Sequence, residues 1–120
     1  MTQPVRRSKR HIEVLGTLRR LFGAPSIREE YPIKIDGRTL FLDIYLPALK
    51  LAFEIQGKQH YEFNAYMHTS RAAFRQQREN DGRKKEWCGD NGVKLCLVGL
   101  NTGTSPQLVL ALIKGGETHE

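Results

Sequence analysis

Apolar and polar positions along this chain recur with two different periods, and each change of period marks the edge of an element. In SKRHIEVLGTLRRLF, residues 8–22, Ile12, Leu15, Leu18 and Phe22 follow helical spacing, with Val14 and Leu21 at the edge of the arc. Ser8 is placed to cap this helix, and Gly23-Ala24-Pro25 to stop it. The period then drops to two. YPIKI and RTLFLDIYLP flank Asp36-Gly37, a pair strongly associated with two-residue hairpin turns. Pro47-Ala48 makes a second turn and LKLAFEIQ a third strand, so residues 31–57 read as a three-stranded antiparallel meander. Residues 69–88, TSRAAFRQQRENDGRKKEWC, are polar and helix-forming apart from Gly82, with Ala73, Phe74, Gln77, Asp81 and Lys84/Lys85 on related turns. Asn91-Gly92 ends that helix, and VKLCLVGL reads as a buried strand, too continuously apolar for an edge. Ser105-Pro106 caps a last helix, QLVLALIK. The predicted order is α-β-β-β-α-β-α. It forms one α/β domain over residues 1–120, with a basic leader (1–7) and a tail (115–120) expected to be flexible.

Strand alternation sorts the side chains of the meander. Leu40, Leu42, Ile44 and Leu46 share one face of the second strand, opposite Phe41, Asp43 and Tyr45. In the third, Leu49, Leu51, Phe53 and Ile55 lie opposite Lys50, Ala52, Glu54 and Gln56. A tight turn at Ala48-Leu49 sets Asp43 against Glu54, Ile44 against Phe53 and Leu42 against Ile55. Two facing carboxylates repel. A divalent cation between them reverses that, and hard oxygen ligands suit Mg²⁺ or Mn²⁺. The alternative is a solvated sheet face on which Lys50 and Lys58 neutralise the acids.

Composition adds a direction. With 19 Lys and Arg against 13 Asp and Glu the chain carries +6, which favours an anionic partner, nucleic acid first. Arg71, Arg75, Arg78, Arg83, Lys84 and Lys85 cluster on the long polar helix, and Arg6, Arg7 and Lys9 lie in the RRSKR leader. Together they could follow a DNA backbone without reading sequence; the other reading is a solvated helix on which Glu79 and Glu86 partner the bases. Two cysteines outside any CxxC pattern argue against a zinc site and a disulfide scaffold, and for a reduced, cytoplasmic protein. Neither a signal peptide nor a membrane-length apolar run is expected.

Asp43, then ten residues, then Glu54-Ile55-Gln56 resembles the D-(x)n-(D/E)-x-K frame of the PD-(D/E)XK nucleases, with Gln in the place of Lys. The phrasing LDIYLPALKLAFEIQGKQHYEF, with RENDGRKKEW and NGVKLCLVGL later, resembles small phage and bacterial endonucleases related to the very-short-patch repair enzymes. More loosely, it is similar to the archaeal Holliday-junction resolvases. The resemblance implies a restriction-endonuclease-like αβββαβα core with a mixed central sheet flanked by helices, and a metal-dependent endodeoxyribonuclease that leaves a 5′-phosphate. Asp43 and Glu54 would then be ligands of Mg²⁺ or Mn²⁺, joined by Glu13 of the first helix; Glu13 could otherwise be a surface partner of Lys9. Gln56 could orient a water or donate to phosphate, but carries no charge. Lys58, Lys84 or Lys85 would supply the missing positive charge, and His60 could act as general base or as a neutral donor. Asp81 would orient a neighbouring base, Trp87 and Phe74 would pack in the core, and Tyr61 and Phe63 would pack under a loop or stack on a base. No added recognition module is apparent, so specificity would come from DNA structure, a homodimer or a partner protein. The resemblance implies a cytoplasmic protein of a bacterial or phage-infected cell. A branched-DNA resolvase and a DNA-binding protein that has lost catalysis are the alternatives.

Overall fold

Local signals fix most of the element boundaries. The computed structural model describes residues 8–56, 71–99 and 103–115. Ser8 caps helix α1 (Lys9–Phe22) by accepting the His11 N–H, and Gly23, at φ 88°, ends it. Strands β1 (Arg28–Ile35) and β2 (Arg38–Leu46) form an antiparallel hairpin about Asp36-Gly37. Both turn residues have positive φ, 49° and 80°, as a two-residue turn of this kind requires. A short 3₁₀ turn, Pro47–Leu49, leads to β3 (Leu51–Ile55), with Lys50 left-handed at the junction. Helix α2 (Arg71–Asp90), strand β4 (Lys94–Val98) and helix α3 (Pro106–Gly115) follow, the last capped at Ser105 as expected.

Among the described residues the order is therefore αβββαβα, an α/β fold with a four-stranded mixed sheet in the order β1-β2-β3-β4. β1, β2 and β3 are antiparallel neighbours, and β4 runs parallel to β3. Two apolar clusters lie on its two faces. Helices α1 and α3 cover one, through Val14, Leu15, Leu18 and Val109 packed on Ile44, Leu46, Phe53 and Val98. Helix α2 covers the other, through Cys88 near Ile33, Leu42, Tyr45, Ala52 and Leu95. Trp87 packs against this second cluster, whereas Phe74 is half-buried with the Arg78 guanidinium 5.9 Å from its ring centre. Among the described residues no helix is long and apolar enough to cross a membrane.

Three expectations are corrected. Ile12 is 56% exposed, and His11 takes the inward place at 5%, so α1 turns its 11-14-15-18 face to the core. β4 stands at the end of the sheet order among the described residues; its apolar run reflects burial under helices on both faces, not a strand on either side. Leu42 does not share a face with Ile44. It packs with Tyr45 on the α2 side, because alternation lapses at Asp43. The leader, the tail, Arg6, Arg7, Lys58, His60, Tyr61 and Phe63 lie outside the described residues.

Candidate active site

The regular pairing of β2 with β3 runs from Leu46↔Leu51 to Ile44↔Phe53 and stops there. The next two residues in that register are Asp43 and Glu54. Their side chains take over the bonding that the ladder gives up: Glu54 Oε2 accepts the Asp43 N–H, and Asp43 Oδ2 accepts the Ile55 N–H, both at 2.8 Å. Leu42 and Ile55 are accordingly not a ladder pair. The Asp43–Glu54 juxtaposition follows directly from the short turn at residues 47–49 and the antiparallel register it sets.

Pairing also lapses on the other side of Asp43. In the β1–β2 ladder, Glu29↔Ile44 and Tyr31↔Leu42 flank an unpaired position where Glu30 faces Asp43. Glu30 sits at φ 49°, a left-handed conformation that is strained for a side chain of this type. Three carboxylates thus stand in a row across β1, β2 and β3, where the sheet opens.

Helix α2 closes over this row. Arg83 pairs with Asp36, and Arg38 donates to Asn80 at 3.4 Å, tying the helix to the β1–β2 turn. Lys84 then extends its ammonium to 3.0 Å from Glu54 Oε1; the two side chains are only 16% and 9% exposed. A cleft of about 300 Å³ opens beside them, lined by Glu30, Phe41, Asp43, Gln77, Asp81 and Lys84 among others.

The electrostatics follow from burial and the charge count. Burial and then the Asp43 charge push the Glu54 carboxyl up to about 7, against the opposing pull of Lys84 and the Asp43 backbone N–H. Glu30 is raised for the same leading reasons, burial and then Asp43, with Lys84 and His11 opposing. Burial draws the Lys84 ammonium downward, but the Glu54 charge and hydrogen bond, with Asp43 and Asp81 behind them, outweigh it and the net shift is upward. The lysine therefore stays charged, while the raised Glu54 and Glu30 carboxyls hold their protons more tightly than solvated ones do.

Of the expected site residues that are described, Asp43, Glu54 and Lys84 are brought together and Glu13 is not. Glu13 is exposed on α1 and accepts from Thr104 Oγ1 at 3.2 Å, on the α1–α3 side of the sheet and not the side that α2 covers. Thr17 reaches the Thr104 carbonyl at 2.6 Å, so this contact sits in a staple between α1 and the start of α3. The Gln56 backbone N–H donates to Val98 O, continuing the β3–β4 pairing. Lys9, Arg71, Arg75, Arg78 and Lys85 are exposed on their helices. Glu30 was not anticipated, yet the hairpin held the signal. A two-residue turn at Asp36-Gly37 pairs Ile35 with Arg38, and counting back along both strands sets Glu30 opposite Asp43.

Among the described residues no group of three or more His, Cys, Asp or Glu side chains is arranged to hold a metal ion. The donor set fits a small hard cation held by two carboxylates, Asp43 and Glu54, with water and a substrate oxygen completing its shell.

Three viral proteins are similar to about half of this chain. Uncharacterized protein 307L of invertebrate iridescent virus 6 is 45% identical over 56 residues, 47% of this chain and 28% of the viral protein. Uncharacterized protein 033L of invertebrate iridescent virus 3 is 39% identical over 61 residues, 51% of this chain and 31% of the viral protein. Uncharacterized protein 094L of frog virus 3 (isolate Goorha) is 45% identical over 60 residues, 49% and 39% of the two. The matched region spans only about a third of the length of these relatives. No protein-family profile and no solved structure matches the chain.

Proposed function

We propose that this chain is a metal-dependent DNA endonuclease domain of the PD-(D/E)XK kind. The observation that carries the reading is the opening of β2 from β3 at Asp43 and Glu54. Two carboxylates are held face to face there by backbone N–H groups, and Asp43 lines a cleft that also holds a charged lysine. Lys84 places one positive charge at Glu54, and a divalent ion would join both carboxylates at once.

Asp43 and Glu54 would hold Mg²⁺ or Mn²⁺. When bound, that ion supplies a Lewis acid for the phosphate and lowers the pKa of a coordinated water. The chain's own residues do the rest. The two backbone N–H donors fix the carboxylates in one rotamer, so the site is organised before substrate arrives. The cleft walls from α2 and the β1–β2 hairpin leave room for a backbone phosphate. Exposed Arg71, Arg75, Arg78 and Lys85 along α2 would hold the flanking phosphates by charge. Specificity would come from DNA structure, a homodimer or a partner protein. Glu13 gains no support from its contact with Thr104, and is not needed for this reading.

A second reading is a DNA-binding protein on the same scaffold without catalysis. The observation in its favour is that Lys84 already satisfies Glu54, while Gln56 stands where a charged residue would act. Plasmid relaxation and linearisation in Mg²⁺, in Mn²⁺ and in EDTA separate the two. Cutting with either metal and none in EDTA supports the endonuclease; DNA retention without cutting on duplex, single-stranded and branched substrates supports the binding protein.

A further inference from the structure

The Asp43–Glu54 site contains a cation that belongs to the chain itself. Lys84 Nζ lies 3.0 Å from Glu54 Oε1, and both side chains are largely withdrawn from solvent. The same lysine lines the cleft beside Asp43, Gln77 and Asp81. Lys85, one residue on, is exposed and points about 100° away around the helix, so it cannot take this place. A divalent ion held by Asp43 and Glu54 would need the carboxylate that Lys84 now occupies, and two cations cannot share it at close range without strong repulsion.

We propose that Lys84 is an exchangeable counter-cation. It neutralises Glu54 while the site lacks metal, yields that carboxylate to a divalent ion, and turns into the cleft to contact the phosphate of the bound strand. It thereby supplies the positive charge that Gln56 lacks. The proposal rests on reading Asp43 and Glu54 as a phosphodiester-cleaving site, and adds which residue completes it and how that residue is stored. The four-carbon lysine stem allows the swing with no movement of α2. Asp81 lies one turn back on the same helix, where its charge reaches Lys84 and gives the released ammonium a neighbour inside the cleft.

The most direct test uses the unaltered protein. Lysines are acetylated briefly with an N-hydroxysuccinimide ester in EDTA, Mg²⁺ or Mn²⁺, and each site is quantified by mass spectrometry. Lys50 and Lys94, whose ammonium groups donate to Asn91 O and Ile113 O, serve as references. Lys84 should label several-fold faster with metal while the references stay constant; equal labelling of Lys84 in EDTA and in metal overturns the proposal. Mn²⁺ titration of Lys84→Met gives an independent reading. Removing the competitor should tighten Mn²⁺ binding about tenfold over wild type, since the metal-competent state no longer needs to be won from the ion pair. Cleavage should fall mainly in kcat, and Lys84→Arg should recover part of it. Mn²⁺ bound equally by wild type and Lys84→Met overturns the lysine's role and leaves the nuclease site standing. Mn²⁺ bound by neither overturns both.

Discussion

Glu54 sits between a carboxylate and an ammonium, and its titration reports the balance between them. Burial and then Asp43 raise it to about 7 from 4.5, so the native state holds the proton more tightly than the unfolded chain does. That contribution to stability is complete below about pH 4.5 and is lost as pH rises through about 7. In EDTA, wild type should therefore lose a few kcal/mol of this term between mildly acidic and mildly alkaline pH. Glu54→Gln should remove the dependence, which urea midpoints measured across that range would check. Removing the Asp43 charge acts on the same carboxyl. Asp43→Asn should shift the Glu54 transition to lower pH and abolish stabilisation by Mg²⁺ or Mn²⁺, seen as a melting temperature that no longer responds to metal. A metal response unchanged in Asp43→Asn would count against the pair as a cation site.

At the scale of elements, the boundaries were legible because each is set by a few local residues. Ser8, Asp36-Gly37, Pro47, Asn91-Gly92 and Ser105-Pro106 act through dihedral preference and capping, which a sequence states outright. The short turn at 47–49 also fixed the register that pairs Ile44 with Phe53 and sets Asp43 beside Glu54. What failed was the assumption of an unbroken ladder. Period-two reasoning carries Leu42 to the side of Ile44, but the sheet opens at Asp43 and Leu42 packs with Tyr45. Reading the helix from apolar residues alone likewise promoted Ile12 over His11, whose ring is buried 3.4 Å from Glu29. Lys84 was one candidate among several because nothing local says which way a helix faces; only packing on Cys88 and the Arg83–Asp36 pair decides it. The hairpin gives a clean check on this level. Gly37 has φ 80° and open space around it, so Gly37→Ala should cost conformational strain alone, about 1 kcal/mol in urea unfolding, with cleavage unchanged.

At the scale of the molecule, charge is distributed by helix face. At ~100° per residue, Arg71, Arg75, Arg78 and Lys85 fall within one flank of α2, next to the face that carries Gln77, Asp81 and Lys84 into the cleft. A strand held along that flank would run past the carboxylates. Arg75→Ala with Arg78→Ala should weaken binding to all DNA sequences alike and lower the slope of log K against log salt by about 1 for each phosphate no longer neutralised. The +6 charge of the whole chain suggested this partner, but only the separation of faces relates it to the site. The central claim is that Asp43 and Glu54 form a cation-dependent phosphodiesterase centre, and one measurement addresses it most directly: supercoiled plasmid incubated with wild type and Asp43→Ala, in Mg²⁺, Mn²⁺ and EDTA. Wild type should nick or linearise the plasmid with metal and not in EDTA, and Asp43→Ala should be slower by at least about 100-fold, since the loss of even outer partners of a metal site costs about 10–100-fold. Cutting that persists at the wild-type rate in Asp43→Ala, or no cutting by wild type under any metal condition, would contradict it.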